Sequence, residues 1–303
     1  MPETEHHYRH GVLHAVAAFS IWGFFPLYFK MLDHIAPVEV VAWRCVWSFV
    51  ALAVVISVLK RWDHFFACFR SWKKFSRLVL SMTMIVANWG VFVYAVSTEQ
   101  VLQSSLAYFI NPLVSVLLGV VFLHERLRRM QVLSVALATV GVLIMTFLAG
   151  GFPSIAIILA FSFAAYGYIR KTVKGVDSLT GLGVEVSMAI VPAILLLAVF
   201  KPQGRIPGME AVSTLSAMDH LLLILMGTIT MLPLLLFITA ARRLPLSMIG
   251  ILQFITPTLH FLLAVFAFRE SFPWQSLISF SFIWLAVTLF LIDSRRPRPT
   301  PPV

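Results

Sequence analysis

The 303-residue chain is 60% hydrophobic and only 12% charged, whereas about a quarter of the residues of an ordinary soluble domain are charged. This composition excludes a soluble globular protein and predicts a polytopic membrane protein. Ten spans of about 20 residues each would use about two thirds of the chain, which leaves no room for a separate soluble domain. The two cysteines, Cys45 and Cys68, offer no disulfide framework.

Positive charge is divided unevenly between the two sides of the predicted spans. The net charge is +10, and of the 23 lysines and arginines eighteen fall on one side, four on the other and one, Arg44, within a span. Cytoplasmic loops of membrane proteins carry an excess of these residues. The count therefore predicts cytoplasmic termini, and it explains the basic charge as a topology signal without nucleic acid as a partner.

The first predicted span runs from about Val12 to Met31. It is too long for a removable signal peptide and has no small-residue cleavage site. Residues 1–10 before it are interpreted as a short polar tail. Its His6, His7 and His10 have no distant partner in the sequence, so we predict no metal site there.

A 23-residue stretch of the chain occurs twice. Residues Ser104–Arg126 align on Ile249–Ser271 with an offset of 145 and no gap. The seven identities include a proline and a glutamate, namely Pro112 with Pro257 and Glu125 with Glu270. Shorter matches at nearly the same offset relate the first, second and third spans to the sixth, seventh and eighth. Because five spans is an odd number, the second copy would enter the membrane from the opposite side.

We therefore predict an all-α membrane protein of ten helices in two inverted five-helix repeats, the construction used by secondary transporters. The predicted units are a cytoplasmic tail at 1–10, a first repeat at 11–150, a second repeat at 151–293 and a disordered cytoplasmic tail at 294–303. Aromatic residues at helical spacing between basic ones further predict an interfacial helix at about 60–74. The longest outer loop is expected at Lys201–Ala217.

Polar residues form one stripe along the repeated span. In the first copy they are spaced by four, three and four, as Ser104, Tyr108, Asn111 and Ser115, and in the second copy Gln253, Thr256 and His260 take the equivalent positions. Because a polar stripe facing lipid is costly, these two faces should point inward to each other or to water. The alternative is that they only supply hydrogen bonds between helices.

Arg44 is the most suggestive single residue, since a charge inside the hydrocarbon is normally paired or turned toward a cavity. Glu39 lies five residues before it, roughly 140° around the helix, so a direct pair between them is awkward. Glu185, near the beginning of a seventh helix expected to open near Gly183, is the candidate counter-charge. A purely structural ion pair is the rival interpretation.

Several motifs together resemble the RarD-type permeases of the EamA branch of the drug/metabolite transporter superfamily. They are Trp22-Gly23 with Pro26 to Lys30, Arg44 to Ser48, Asn88-Trp89, Tyr108 to Leu113, Glu125-Arg126, Pro233 to Leu235 and Gln253 to Thr258. The resemblance spans about residues 10–293. It implies a bacterial inner-membrane carrier whose two EamA-like repeats enclose a central cavity. Such proteins are linked by name to chloramphenicol sensitivity, and relatives export amino acids and other metabolites.

The predicted function is export or exchange of a small amphipathic solute, amino-acid-like or aromatic, by alternating access. Arg44 would hold a carboxylate and Glu185 an amine or a proton, while Pro112 and Pro257 would let the matched helices bend as gates. The predicted solute-binding residues are Trp22, Arg44, Asn88, Trp89, Tyr108, Asn111, Tyr166, Glu185, Gln253 and Thr256.

The sequence is less consistent with three other functions. A flippase for a lipid or lipid-linked carrier would share the fold but needs a groove open sideways to the bilayer. A receptor or sensor without transport activity is disfavoured because no soluble output domain is left. An intramembrane enzyme is disfavoured because the chain has no GxSxG elbow, Walker loop or paired zinc histidines. We expect neither a cofactor nor a metal. The expected partners are a small solute and membrane lipid, and the expected state is a monomer or homodimer.

Overall fold

The computed structural model describes residues 2–150, 152–200, 215–269 and 274–294, and within these ranges every regular element is a helix. Ten of the helical stretches are long and apolar enough to cross a membrane, which confirms the predicted class. The helices are α1 Pro2–Gly23, α2 Phe25–Lys30, α3 Pro37–Val58, α4 Trp62–Arg70, α5 Trp72–Ser97, α6 Val101–Phe122, α7 Arg129–Ala149, α8 Ser154–Thr172, α9 Ser178–Leu195, α10 Ala217–Arg243, α11 Leu246–Gln253, α12 Ile255–Leu262 and α13 Trp274–Ser294.

Contacts between residues near the helix ends establish which ends lie together. At the end of the bundle that carries most of the lysines and arginines, here called the basic end, Arg77 donates to Thr172 O at 3.1 Å and Arg128 lies 3.7 Å from Asp293. At the other end, called the opposite end, the backbone N–H of Ile155 donates to the side chain of Gln103 at 3.1 Å. Successive spans therefore alternate in direction, as the sequence predicts.

The main helix contacts of one half recur between the corresponding helices when the two halves are exchanged. α6 packs on α8 as α11 and α12 pack on α1, α5 packs on α8 as α10 packs on α1, and α3 packs on α10 as α9 packs on α5. The pairs α3–α9, α6–α11 and α7–α13 map onto themselves and so lie on the two-fold axis. This symmetry, with five spans in each half, confirms the inverted repeat.

Two helices begin earlier than predicted. α1 begins at Pro2 rather than near Val12 because Pro2 suits a first turn and no further proline or glycine follows until Gly11. α9 begins at Ser178 rather than near Gly183 because the Asp177 carboxylate accepts from the backbone N–H groups of Leu179 and Thr180 at 3.1 and 3.0 Å.

The Asp177 carboxylate is held in its charged form by this cap. Partial burial would raise the pKa of Asp177, but the hydrogen bonds from Thr180, together with the charge of Arg61 at 3.8 Å, outweigh burial and hold that pKa below its ordinary value. The cap is therefore sensitive to acid.

The stretch predicted to form an interfacial helix contains a helix, α4. Its inner face buries Phe65 and Cys68 against Leu78 and Val176, whereas Phe66 on its outer face is 54% exposed. Burial raises the pKa of the Cys68 thiol. α4 thus joins the bundle on one face and presents an apolar face outward at the basic end.

Three sequence predictions fall partly or wholly on residues outside the described ranges. They are the outer loop at Lys201–Ala217, of which only 215–217 are described, the match of Glu270 with Glu125, and the tail at 294–303, of which only Ser294 is described.

Candidate functional site

A cavity of about 130 Å³, lined by aromatic and polar side chains, lies between the two halves of the bundle. An engineered apolar cavity of about 150 Å³ is large enough to admit benzene, so this one suits a small organic group. Eight of the ten predicted solute-binding residues line it, namely Trp22, Arg44, Asn88, Trp89, Tyr108, Asn111, Gln253 and Thr256.

The cavity extends toward the opposite end of the bundle. Phe29, Phe92, Ser104 and Leu159 line it, and each lies near the end of its helix on that side. Toward the basic end, α6 packs closely on α11, whereas the following segment α12 makes few contacts with α6. The two copies of the repeated span, α6 and α11–α12, therefore lie apart at the opposite end and pack together at the basic end.

Several residues of the predicted stripe also join helices. Thr256 donates to Phe19 O at 2.9 Å, and Ser115 donates to the side-chain oxygen of Gln253 at 3.1 Å. Asn88 likewise donates to Leu159 O at 2.8 Å. The two interpretations of the stripe are thus compatible, because the same side chains face the cavity and hold its wall.

Arg44 lies in the cavity wall without a counter-charge among the described residues. It is 8% exposed, and its guanidinium carbon lies 4.0 Å from the centre of the Trp89 ring. Its Nε has no hydrogen-bond partner within the described ranges, and neither has the hydroxyl of Thr230, which lines the same cavity.

The expected pair between Arg44 and Glu185 is not formed. Glu185 lies 3.5 Å from Arg170 and accepts hydrogen bonds from Tyr166 at 3.2 Å and from Ser81. These buried groups lie among α5, α8 and α9, and neither Tyr166 nor Glu185 lines the cavity. Because Arg170 already neutralises Glu185, that carboxylate is not available to Arg44.

Sequence reasoning misses Arg170 as a buried partner: the charge count places it with the other positive charges of one side, but it is 2% exposed. A signal existed, because Arg170 follows Tyr166 by four residues and so shares its helix face. Ser81, in contrast, had no recognisable signal, since only the fold brings it to Glu185.

Phe237 is surrounded by aromatic rings from both halves. Their centroids lie 5.1 to 6.2 Å from its own, and Phe237 also contacts the α-carbon region of Gly167, where an added methyl group would collide with its ring. The surrounding rings are those of Phe19, Trp22, Phe163 and Tyr166. Its counterpart in the first half, Phe92, makes no ring contact within the described residues and lines the cavity instead.

The two matched prolines lie in different backbone settings. Pro112 lies within the continuous helix α6, whereas Pro257 lies in the first turn of α12, just after the helix is interrupted at Phe254. The first span is also interrupted, at Phe24 between Gly23 and Pro26. The same pattern therefore folds into a continuous helix in one half and an interrupted one in the other.

Charged residues at the basic end complete helix ends, in one case across the two halves. The Glu125 carboxylate accepts from the backbone N–H groups of Leu246 and Ser247, which begin α11, at 2.6 and 2.9 Å. Lys171 donates to Ala241 O at 2.9 Å, at the end of α10. Within the described ranges no group of three or more His, Cys, Asp or Glu side chains could hold a metal ion.

Comparisons with known proteins agree with this architecture. The sequence profile of the EamA-like transporter family matches residues 9–147 and again 153–292. Protein RarD of Escherichia coli K12 is 41% identical over 287 residues, covering 94% of this chain and 95% of that protein. An uncharacterized transporter of Vibrio cholerae is 40% identical, covering 94% and 93%.

A more distant relative is the chloramphenicol-sensitive protein RarD of Pseudomonas aeruginosa, 31% identical over 94% of this chain and 95% of that protein. One solved crystal structure superposes with a TM-score of 0.74 over 94% of this chain and 99% of that chain. At 16% identity it shows a shared fold alone.

Proposed function

The chain belongs to the EamA-like transporter family, and from that premise we propose that it is a secondary transporter of the bacterial inner membrane. It exports or exchanges a small amphipathic solute, amino-acid-like or aromatic, by alternating access. Both termini lie in the cytoplasm, so the mouth of the cavity faces the periplasm. The chain carries out no chemical reaction on the solute.

The observation that carries this proposal is the difference between the two halves. In the second half α8 packs along α10, and Gly167 lies against Phe237, whereas the corresponding helices α1 and α5 of the first half make little contact. A carrier needs one unit that can adopt two shapes. Exchanging the shapes between the halves would close the periplasmic mouth and open the basic end.

The cavity lining supports a small solute as cargo. Aromatic rings provide most of its apolar surface, and a few polar groups, among them Asn88, Asn111 and Arg44, can fix the orientation of a bound molecule. Residues from nine helices of both halves contribute, from α1, α2, α3, α5, α6, α8, α10, α11 and α12. Because residues of both halves form the lining, we favour a solute carrier over a lipid flippase.

The transporter proposal is tested by binding followed by flux. Purified protein is screened by thermal shift against amino acids, aromatic antibiotics and quaternary amines, and the solute that stabilises it most is followed by radiolabel counterflow in proteoliposomes. We expect counterflow with the native chain and a strong reduction with Asn111→Ala. Thr83→Ala is the matched control, because Thr83 is an exposed residue outside the cavity lining. Binding without any counterflow would refute the proposal.

A further inference from the structure

The lining of the central cavity carries a positive charge. Arg44 is the only charged side chain among the described residues that line it. Arginine stays protonated in proteins, so the cavity presents a net positive charge to whatever enters. A buried charge without a partner is strongly unfavourable, so this arrangement indicates a ligand that supplies the missing negative charge.

Two unpartnered polar atoms belong to residues that line the cavity. Arg44 is 8% and Thr230 is 3% exposed, and the Arg44 Nε and the Thr230 hydroxyl have no hydrogen-bond partner within the described part of the chain. The Trp89 ring supports the guanidinium at 4.0 Å but offers it no hydrogen-bond acceptor. Both atoms can donate a proton, so the fitting ligand group is an acceptor such as a carboxylate.

No acidic side chain of the described residues lines the cavity. The candidate for binding an amine, Glu185, is instead enclosed with Arg170, Tyr166 and Ser81. An ammonium group in the cavity would therefore meet the charge of Arg44 with no carboxylate nearby to offset it. The site favours anions over zwitterions and cations.

We propose that the transported solute is an organic monoanion whose carboxylate binds Arg44 and Thr230 and whose apolar body lies among the aromatic walls. This inference deepens the transporter proposal and rests on it. It narrows the cargo from any amphipathic solute to one without a compensating ammonium group.

The test uses four probes that differ in charge on one benzyl-type scaffold: phenylacetate, its neutral amide phenylacetamide, the zwitterion phenylglycine and the cation benzylamine. Binding to the purified full chain is measured by quenching of tryptophan fluorescence, since Trp22 and Trp89 line the cavity, and by thermal shift. A hydrogen bond to a charged group is worth about 1.5–3 kcal/mol, so phenylacetate should bind about 10- to 150-fold more tightly than phenylacetamide. Phenylglycine and benzylamine should bind more weakly than phenylacetate.

Variants assign the selectivity to Arg44. Arg44→Gln should reduce the preference for phenylacetate over phenylacetamide to about twofold or less, and Arg44→Lys should retain part of it because it keeps the charge. Arg126→Gln removes an exposed charge outside the cavity and should leave the preference intact. Thr230→Val, which changes no charge, should weaken phenylacetate binding several-fold.

The comparison of the four probes needs no variant, so misfolding of Arg44→Gln does not prevent the test. Phenylglycine or benzylamine binding as tightly as phenylacetate would overturn the inference, as would a failure of phenylacetate to bind. Counterflow of an amine or zwitterion in the same proteoliposomes would then retain the transporter proposal while refuting anion selectivity.

Discussion

Two buried arginines of this bundle have opposite surroundings. Arg170 is neutralised by Glu185 at 3.5 Å and donates to Ser178 O at 3.3 Å, whereas Arg44 contacts the Trp89 face and has no ion pair among the described residues. Burial alone therefore does not identify the functional charge. The partner of the charge does, and by that criterion Arg170 is structural and Arg44 is available to a solute.

Removing Glu185 should destabilise the protein more than removing the whole pair. Glu185→Leu leaves Arg170 buried and uncompensated, which costs about 3–5 kcal/mol of unfolding free energy, whereas the double variant Arg170→Met/Glu185→Leu should cost much less. Thermal unfolding of the purified variants in one detergent measures both. Arg61→Gln, which breaks an exposed pair with Asp177, is the control and should cost less than about 1 kcal/mol. Equal losses in the single and double variants would contradict this.

The cap of α9 should respond to pH in a defined direction. Asp177→Ala should lower the unfolding free energy by about 1 kcal/mol at pH 7, and Asp177→Asn by less, because asparagine also caps helices. The folded-state pKa of Asp177 lies below its ordinary value, which is about 3.9. The charge-dependent part of the cap is therefore fully present above about pH 4 and is lost as the pH falls through the folded pKa.

Thermal midpoints at pH 7 and pH 3 measure the effect. The difference in thermal midpoint between the native chain and Asp177→Asn should be smaller at pH 3 than at pH 7. A gap that widens on acidification would show that the carboxylate does not stabilise the cap in its charged form.

For individual residues, the sequence predicted which helix faces point inward. It did not predict which charged side chains form ion pairs. Helical periodicity alone assigns Tyr108, Asn111, Gln253 and Thr256 to inward faces, and all four line the cavity. Ion pairing depends on distances between helices that periodicity does not contain. Periodicity therefore could not show that Glu185 pairs with Arg170 rather than with Arg44.

At the scale of helices, the same aromatic position has two roles in the two halves. Phe237 is 1% exposed and lies among four rings, while Phe92 is half-buried beside the cavity. Phe237 thus closes the space between α8 and α10. The corresponding space between α1 and α5 in the first half is part of the cavity.

Alanine substitution should separate these roles. Phe237→Ala should cost about 3–5 kcal/mol of unfolding free energy, because it removes a fully packed ring, and Phe92→Ala should cost clearly less, because its ring already borders a space. The two variants are matched controls for each other, since they occupy corresponding positions of the repeat. Thermal unfolding in the same detergent compares them, and equal costs would count against the difference between the halves.

The spans themselves were predictable and their ends less so. Hydropathy identifies the apolar stretches. Each of them must form a helix, because only a helix satisfies the hydrogen bonds of its own backbone in lipid. The ends depend on individual side chains, such as the Asp177 carboxylate that begins α9. The interruption of α11 and α12 at Phe254 was not predicted either, since the matching sequence around Pro112 forms an unbroken helix.

At the scale of the whole molecule, the cavity has its mouth at one end and the excess positive charge lies at the other. Phe29 lines the cavity near the opposite end, and Arg126 is exposed at the basic end. If the termini are cytoplasmic, these two positions lie on different sides of the membrane.

Labelling of cysteines in cells should distinguish the two sides. In a Cys45→Ser/Cys68→Ser background, Phe29→Cys should react with a membrane-impermeant maleimide in intact spheroplasts. Arg126→Cys should react only after permeabilisation, and it controls for leakage. The reverse pattern would place both termini outside and would overturn the proposed orientation.

The Glu125 carboxylate accepts the first backbone N–H groups of α11, a helix that follows it by 121 residues. During synthesis this acceptor is therefore made well before the helix that it completes. A C-terminal fragment expressed alone would leave the start of α11 without this partner, and co-expression with an N-terminal fragment containing Glu125 would restore it. Because the first half is translated first, its Glu125 is already present to cap α11 when the second half folds.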